Sequence, residues 1–399
     1  MLLVQRDVKR TCPFCGTEIK LAECPIVCTS YVKKASFGAS FAGGEEPTSV
    51  LTPSGRAVGS NLGDFPLLRT GTKLADTSRL SRMLGRLPRP TEEFDQSDLP
   101  RRACTHCDKP LPEELDECDA YVLAVVGLNR AGKSYFLGST LTAASRNEGL
   151  AAYGVESFEP LEDTASRLHR EYYLRLFKNE HSLNATPVED HLEKQPLMFR
   201  VTMADSRPFL LITHDVSGEA LIDRRTRAAT ASFVSRANGL IFIADPLDMH
   251  RVAVALPDPV LDEIGYRDID QAALLEMTLR ELKSVRGKGV PLALTISKSD
   301  LISRAMHRSF KFDVPGRSQD WRTDVRAAGE EVRNLLIELN EQKLVRLADE
   351  HQVTSFHAVS VLGSEESRLK TNGRPNPLRV LDPLGTVLEQ IRLGQVNGH

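Results

Sequence analysis

From residue 119 onward, short apolar runs alternate with stretches whose apolar residues recur every three or four positions. That alternation is the signature of strands feeding helices in a doubly wound α/β domain. Strands are expected over 121–127, 196–203, 208–215, 239–245, 290–296 and 353–359, and helices near 133–146, 161–180, 219–236, 268–286, 319–350 and 382–394. Pro196–Met203 followed by Arg207–Thr213 reads as a hairpin, which would place one antiparallel strand at the edge of an otherwise parallel sheet. The pattern therefore predicts an α/β fold built on a mostly parallel, six-stranded, doubly wound sheet.

Upstream the pattern is different. Residues from about 31 to 102 are rich in Gly, Ser, Pro and Thr with few strand-forming clusters. Such a stretch buries too little apolar surface to offset the entropy of ordering it, so a largely disordered insertion is expected there. One island within it, Asp76–Leu87, puts Leu80, Met83, Leu84 and Leu87 on one helical face, with Arg79, Arg82 and Arg86 elsewhere around the helix. It suits a helix that forms on a partner or simply docks locally. The expected division is an N-terminal module over 1–118, split by the insertion, and a large domain over 119–399.

Composition agrees with a globular chain. Of 399 residues, 41% are hydrophobic and 26% charged, enough for one large or two ordinary domains. A formal net charge of −3 gives no whole-protein argument for nucleic acid or an anionic membrane as partner. Met1–Arg10 lacks the apolar core of a secretory signal, and no run approaches the roughly 18 apolar residues of a membrane helix. The expected compartment is the cytoplasm.

Six of the seven cysteines fall in short-spaced pairs, unlike the dispersed pattern of a secreted disulfide framework. Cys12-Pro-Phe-Cys15 and Cys104-Thr-His-Cys107 are two C-x-x-C turns, each able to present two thiolates to one tetrahedral Zn²⁺. Cys24-Pro-Ile-Val-Cys28 is a looser third pair. Either Cys12, Cys15, Cys104 and Cys107 form a zinc-ribbon-like site interrupted by a long insertion, or Cys24 and Cys28 complete it. The first set is favoured, because ordered-looking sequence resumes right after Cys107. His106 and Cys118 have no evident partner and are not expected to be ligands.

Gly127-Leu-Asn-Arg-Ala-Gly-Lys-Ser134 fits G-x-x-x-x-G-K-[ST], after an apolar run and before a helix-compatible one. Gly127 and Gly132 let the backbone wind around a polyphosphate, so that successive N–H groups and the following helix N-terminus face the anion. Backbone contacts from Gly127, Asn129, Arg130, Ala131, Gly132 and Tyr135 are expected. Lys133 would reach the β- and γ-phosphates, and Ser134 would ligate Mg²⁺.

Three later segments resemble motifs of regulatory GTPases. Asp215-Val-Ser-Gly218 matches D-x-x-G, in which Asp215 would hold Mg²⁺ through water and the Gly218 N–H would contact the γ-phosphate. Ser297-Lys298-Ser299-Asp300 resembles N-K-x-D, with Ser297 in place of the usual Asn. Asp300 would accept hydrogen bonds from guanine N1–H and its exocyclic amine, a donor pair adenine lacks, while the Lys298 stem lies along the base. Ser360-Val361-Leu362 is similar to the segment whose backbone contacts guanine. Thr186, in a Pro-containing loop, is preferred over Thr164 as the switch threonine that closes on Mg²⁺.

Taken in order over residues 120–395, these motifs resemble the Ras-like P-loop GTPase superfamily. The Asp215–Glu219 switch, Ala244-Asp245-Pro246 and the split cysteine turns resemble, more narrowly, bacterial double-GTPase-type proteins of multi-gene GTPase-associated systems. The resemblance implies a cytoplasmic GTP/GDP switch with Mg²⁺, and protein partners, regulators or effectors, encoded nearby. It also marks a departure: Glu219 stands where Ras-like proteins carry the water-orienting Gln. With Lys133, Glu219 and Thr186 as the hydrolytic set, slow intrinsic turnover follows, raised by a partner. Arg130 or the Arg224-Arg225 pair would supply positive charge in the transition state. The alternatives are a P-loop ATPase or kinase, and a non-catalytic zinc-ribbon module in which nucleotide is structural.

Overall fold

The apolar runs become strands that carry the buried core, Gly239–Ala244 and Leu292–Ile296 at every position and the others over part of their length, and the helical stretches pack over them. A computed structural model of the protein describes residues 8–24, 26–28, 100–147, 149–174, 195–222, 227–256, 270–285, 289–314, 320–363 and 375–396. The chain divides into two units, Met1–Ala120 and Tyr121–His399, each considered by itself.

In the first unit, β1 (Lys9–Thr11) pairs antiparallel with β2 (Glu18–Lys20), and β3 (Ile26–Cys28) pairs antiparallel with β4 (Pro100–Arg102). Ile26 stands opposite Arg102, so the two strands flank residues 29–99 at one ladder. Residues 100–102 thus belong to the folded ladder and not to the expected insertion. The remainder of that insertion, with its Asp76–Leu87 stretch, lies outside the described residues. Ile19, Leu21, Leu111 and Leu115 form the buried interior. The Arg102 guanidinium is buried with them, donating to Asp116 Oδ1 at 2.8 Å and to the Leu21 carbonyl at 3.0 Å, as a desolvated charge requires.

The large unit runs β5 (Asp119–Gly127), α1 (Lys133–Ser145), β6 (Val155–Pro160), α2 (Thr164–Arg167) with a π-helical turn over Leu168–Tyr173, β7 (Leu197–Met203) and β8 (Phe209–Ser217). It continues through α3 (Gly218–Ile222), α4 (Arg227–Ser235), β9 (Gly239–Ala244), α5 (His250–Ala253), α6 (Gln271–Val285), β10 (Leu292–Ile296) and α7 (Ser299–Ala305). It ends with α8 (Trp321–Glu338), α9 (Gln342–Asp349), β11 (Thr354–Ala358) and α10 (Asp382–Val396). The sheet order is β11-β10-β9-β5-β8-β7-β6. β5, β9, β10 and β11 are parallel neighbours in turn, whereas β7 runs antiparallel to both β8 and β6.

The sheet therefore has seven strands where the sequence pattern predicts six, and the antiparallel strand is one in from the edge. The added edge strand, Val155-Glu-Ser-Phe-Glu-Pro160, buries Val155 and Phe158, three positions apart, because the register shifts at a bulge between Val155 and Ser157. A bulge of that kind erases the period of two that marks a strand. Phe158 packs on Phe199 of β7 with ring centroids 4.6 Å apart, which ties the extra strand to the core.

Three expected helices also differ. The 319–350 stretch is two helices, divided at Asn340, whose φ is 68°. Asn340 N–H donates to Ile337 O at 3.1 Å and Glu341 N–H to Leu336 O at 2.8 Å, the paired bonds of a left-handed helix terminus. The 161–180 stretch is the short α2 and its π turn, with 175–180 outside the described residues. The 219–236 stretch is α3 and α4, with 223–226 outside them. Among the described residues, no helix is long and apolar enough to cross a membrane.

Candidate functional site

The loops that follow β5, β8, β9, β10 and β11 carry the sequence-predicted residues, and the carboxyl ends of strands in such sheets are where ligands settle. β5 ends on Gly127, where the backbone presses against its neighbour: a Cβ there would lie 2.5 Å from the Ile243 carbonyl oxygen of β9. Past it the chain turns through Arg130 (φ 66°) and Gly132 (φ 85°) into α1. No side chain caps the first turn of α1, so its amide donors face the loop and carry the positive end of the helix dipole. Ala131 is fully buried at the floor of the turn. Lys133 is buried as well and donates from Nζ to the Leu128 carbonyl at 2.7 Å, which lays its ammonium along the loop.

Ser134, in the first turn of α1, donates from Oγ to Asp215 Oδ2 at 2.7 Å. Asp215 lies in β8, and its second oxygen, Oδ1, is buried without a hydrogen-bond partner. A buried carboxylate oxygen left unpaired is costly unless a cation or donor meets it, so the donor set fits a hard divalent ion that prefers oxygen. Gly218 opens α3 against the back of the loop; a Cβ there would stand 2.9 Å from the Gly127 carbonyl oxygen and 2.6 Å from Leu274 Cδ2. Glu219 is the second residue of α3, and its side chain lies outside the described residues. Thr186, Arg224 and Arg225 lie outside them altogether.

At the other end, Ser297 follows β10, and its Oγ donates to the Ala244 carbonyl at 3.3 Å, across to the end of β9. A Cβ on Gly132 would be 3.7 Å from the Ser297 Cβ, so the phosphate-type loop and the Ser297–Asp300 turn are neighbours. Lys298 adopts the left-handed conformation at φ 49° and its ammonium meets Asp245 Oδ2 at 2.5 Å. Asp300 sits in the first turn of α7, where Ser360 donates from Oγ to its Oδ1 at 2.5 Å. Ser360 Oγ in turn accepts from Gly363 N–H at 2.9 Å. Val361 packs partly buried against the core.

Two residues beyond those predicted shape this end. Asp245 also accepts from Leu247 N–H at 3.0 Å, and its backbone is clamped by Gln271, whose Oε1 accepts from Asp245 N–H at 2.7 Å and whose Nε2 donates to Asp245 O at 3.0 Å. The sequence signal was an acid directly after an all-apolar strand, before Pro246. Gln271 carries no such signal.

In the first unit the four favoured cysteines converge. The Sγ atoms of Cys12, Cys15, Cys104 and Cys107 all lie within 4.8 Å of one another, with Cys12–Cys107 and Cys15–Cys104 each at 3.8 Å. A tetrahedral zinc with Zn–S bonds of about 2.3 Å requires Sγ–Sγ edges of about 3.8 Å. The two turns share one construction. Gly16 N–H donates to Cys12 O at 2.9 Å and Asp108 N–H to Cys104 O at 3.0 Å; both residues are left-handed, at φ 68° and 61°. Burial pushes the Cys12 thiol well up, while hydrogen bonding to Cys104 pulls Cys15 down; four such thiols become thiolates together only around a cation. Cys24 stands outside the group, its thiol donating to Lys20 O at 3.5 Å and pushed up to about 11 by burial. The Cys28 side chain lies outside the described residues, and His106 contributes its backbone N–H to Cys104 Sγ at 3.4 Å.

No protein-family profile matches the chain, and no curated protein does. Among solved structures, it is similar to the Arl6 BBS3 small GTPase from Trypanosoma brucei with bound nucleotide analogue GppNp. That alignment covers 68% of this chain and 97% of the other, at 12% identity and a TM-score of 0.30. It is also similar to a GTP-binding protein from the hyperthermophilic archaeon Sulfolobus solfataricus in complex with GDP, over 69% of this chain and 53% of that one, at 13% identity and a TM-score of 0.28.

Proposed function

We propose that the protein is a GTP-binding, slowly hydrolysing switch that acts through protein partners in the cytoplasm. The observation that carries the reading is the meeting of Ser134 and Asp215 at the N-terminus of α1, with Asp215 Oδ1 buried and unpartnered. That arrangement suits Mg²⁺ held by Ser134 and Asp215 beside a triphosphate lying along the α1 amides. Magnesium there would supply charge neutralisation on the β- and γ-phosphate oxygens.

The chain's own residues do the rest. Lys133, already aligned along the loop, meets the phosphate negative charge, and the Gly218 N–H donates to the γ-phosphate. The Asp300 carboxylate, one oxygen held by Ser360, accepts from the two adjacent donors of guanine, and Lys298, fixed by Asp245, lies along the base. Glu219 sits where a neutral Gln would orient water; a carboxylate beside a γ-phosphate is electrostatically unfavourable, which slows hydrolysis. Thr186 closes on the Mg²⁺ side, and the triphosphate state orders the segments carrying Thr186 and Asp215 for a partner encoded nearby. The cysteine cluster holds structural Zn²⁺ in a zinc-ribbon-like module.

Binding of GTP, ATP and XTP to the wild type and to Asp300→Asn tests the reading. GTP is expected to bind best to the wild type, and Asp300→Asn to transfer preference toward XTP. A GTP preference that survives Asp300→Asn unchanged rejects the base assignment. Single-turnover hydrolysis is expected to be slow in the wild type and absent in Lys133→Ala; equal rates in the two reject the catalytic part.

A further inference from the structure

Asn376–Asp382 is a short strap that runs from the base end of the proposed nucleotide site to the body of α1. At the base end, Leu378 and Ser360 exchange backbone hydrogen bonds, Leu378 N–H to Ser360 O at 2.7 Å and Ser360 N–H to Leu378 O at 3.2 Å. Asn376 N–H adds a bond to Leu362 O at 3.1 Å. Ser360 is the residue whose hydroxyl holds Asp300. Further along, the strap is fastened to the body of α1, two turns past its N-terminus, where Thr140 donates from Oγ1 to the Val380 carbonyl at 2.9 Å in a buried bond.

Arg379 lies between these two attachments. It adopts φ 55°, a conformation side-chain-bearing residues avoid, and its side chain is only 3% exposed. The guanidinium fork is spent entirely inward. Nε donates to Val314 O at 3.0 Å, Nη1 to Asp382 Oδ2 at 2.9 Å, and Nη2 pairs with Asp324 Oδ2 at 2.9 Å. Tyr153 completes the group by donating from its hydroxyl to Asp382 Oδ1 at 2.5 Å. A charge buried this way, on a strained backbone, persists only where its partners over-determine it.

We infer that Arg379 is a positioning residue for guanine recognition: its buried fork fixes the strap, and through Leu378 and Ser360 the strap sets where the Asp300 carboxylate stands. This rests on the reading of Asp300 as the base acceptor. Accepting from N1–H and the exocyclic amine together demands both carboxylate oxygens in line with two adjacent donors, and hydrogen bonds weaken steeply with misalignment. Asp300 Oδ1 takes its orientation from Ser360, and Ser360 takes its position from the backbone ladder to Leu378. A purely fold-stabilising Arg379 would instead weaken every nucleotide alike.

Affinities of the full-length chain for GTP, ITP and ATP separate these cases, because the hypoxanthine of ITP lacks the exocyclic amine. The wild type is expected to prefer GTP over both. Arg379→Gln should lower the GTP:ITP ratio about fivefold, the worth of one hydrogen bond, with little change in ITP affinity. Adding Ser360→Ala to Arg379→Gln should lower the ratio no further, because both act on Asp300 by one route. Tyr153→Phe keeps the ring and the guanidinium and should lower the ratio in the same direction by a smaller factor. A GTP:ITP ratio unchanged in Arg379→Gln overturns the inference while leaving the GTP reading intact; should that variant not fold, an unchanged ratio in Tyr153→Phe decides the same way. A wild type that does not distinguish GTP from ATP overturns the reading itself and the inference with it.

Discussion

Ser134 donates to Asp215 Oδ2 at 2.7 Å, and the bond leaves Asp215 Oδ1 as a buried oxygen with no partner. The two residues come from α1 and β8, so the pair joins the phosphate-type loop to the strand that leads into Gly218. A cation bound there would link the same two elements more firmly than the hydrogen bond does. Asp215→Asn halves the acceptor capacity and removes the charge. In titrations of a fluorescent GTP analogue, Mg²⁺ is expected to tighten binding to the wild type and to have little effect on Asp215→Asn. Equal Mg²⁺ dependence in both proteins would contradict the metal assignment.

Close approach at the loop makes a graded stability prediction. A Cβ at Gly127 would press on a backbone oxygen of β9 at 2.5 Å, in a ladder that cannot easily shift. Gly127→Ala is expected to cost about 2–3 kcal/mol, at the upper end of overpacking effects. Gly218→Ala meets one backbone oxygen at 2.9 Å and a Leu274 methyl that can rotate, so about 1–2 kcal/mol is expected. Gly394→Ala, in α10 with open space around it, should gain up to about 1 kcal/mol from helix propensity. Denaturant melts of the three variants check the order.

His357 is expected to contribute to the acid limb of the stability curve. It is buried in β11 with Nε2 2.8 Å from Ser355 Oγ, and burial, helped by the nearby Arg379 charge, pushes its pKa down to about 3. The unfolded chain takes up the proton near pH 6.5 and the folded chain does not until about pH 3. Stability contributed by the neutral ring is therefore complete above about pH 6.5 and is lost as pH falls toward 3, at up to about 1.4 kcal/mol per pH unit. His357→Gln should flatten that slope relative to wild type in melts from pH 7 to 4. A slope as steep in the variant would assign the acid limb to other groups.

Metal content tests the cysteine cluster. One zinc per chain is expected in the wild type and none in a Cys104→Ser, Cys107→Ser variant. A variant that retains one zinc would show that other thiols hold it.

Sequence pattern was most informative where burial is uniform and least where local geometry breaks periodicity. Gly239–Ala244 is buried at every position and reads as a strand directly, whereas the bulge in Val155–Pro160 spaces its buried residues like part of a helix. The break at Asn340 is hidden because Leu339 and Leu344 are both buried, so the apolar period runs through a turn that one left-handed residue makes. At the candidate site, the loop glycines, Asp215 and Asp300 stand out because their residue types and short spacing carry the chemistry. Gln271 does not, and neither do the pairings of Asp245: Lys298 meets Asp245 from 53 positions away and Gln271 meets it from 26. Such pairs are made by sheet order, which no local window contains.

Cys12 and Cys107 are 95 positions apart, and Cys15 and Cys104 are 89. Most of that distance is the 29–99 segment flanked by β3 and β4. Closing a long chain costs entropy that rises only as the logarithm of its length, roughly 0.6 kcal/mol for each doubling. The thiol cluster and the β3–β4 ladder fasten the two ends of that span, and for the unfolded chain the cost of bringing those ends together depends only weakly on how many residues lie between them. The first unit is in this sense a clasp: two stretches far apart in sequence are fastened together by four sulfurs and one short ladder.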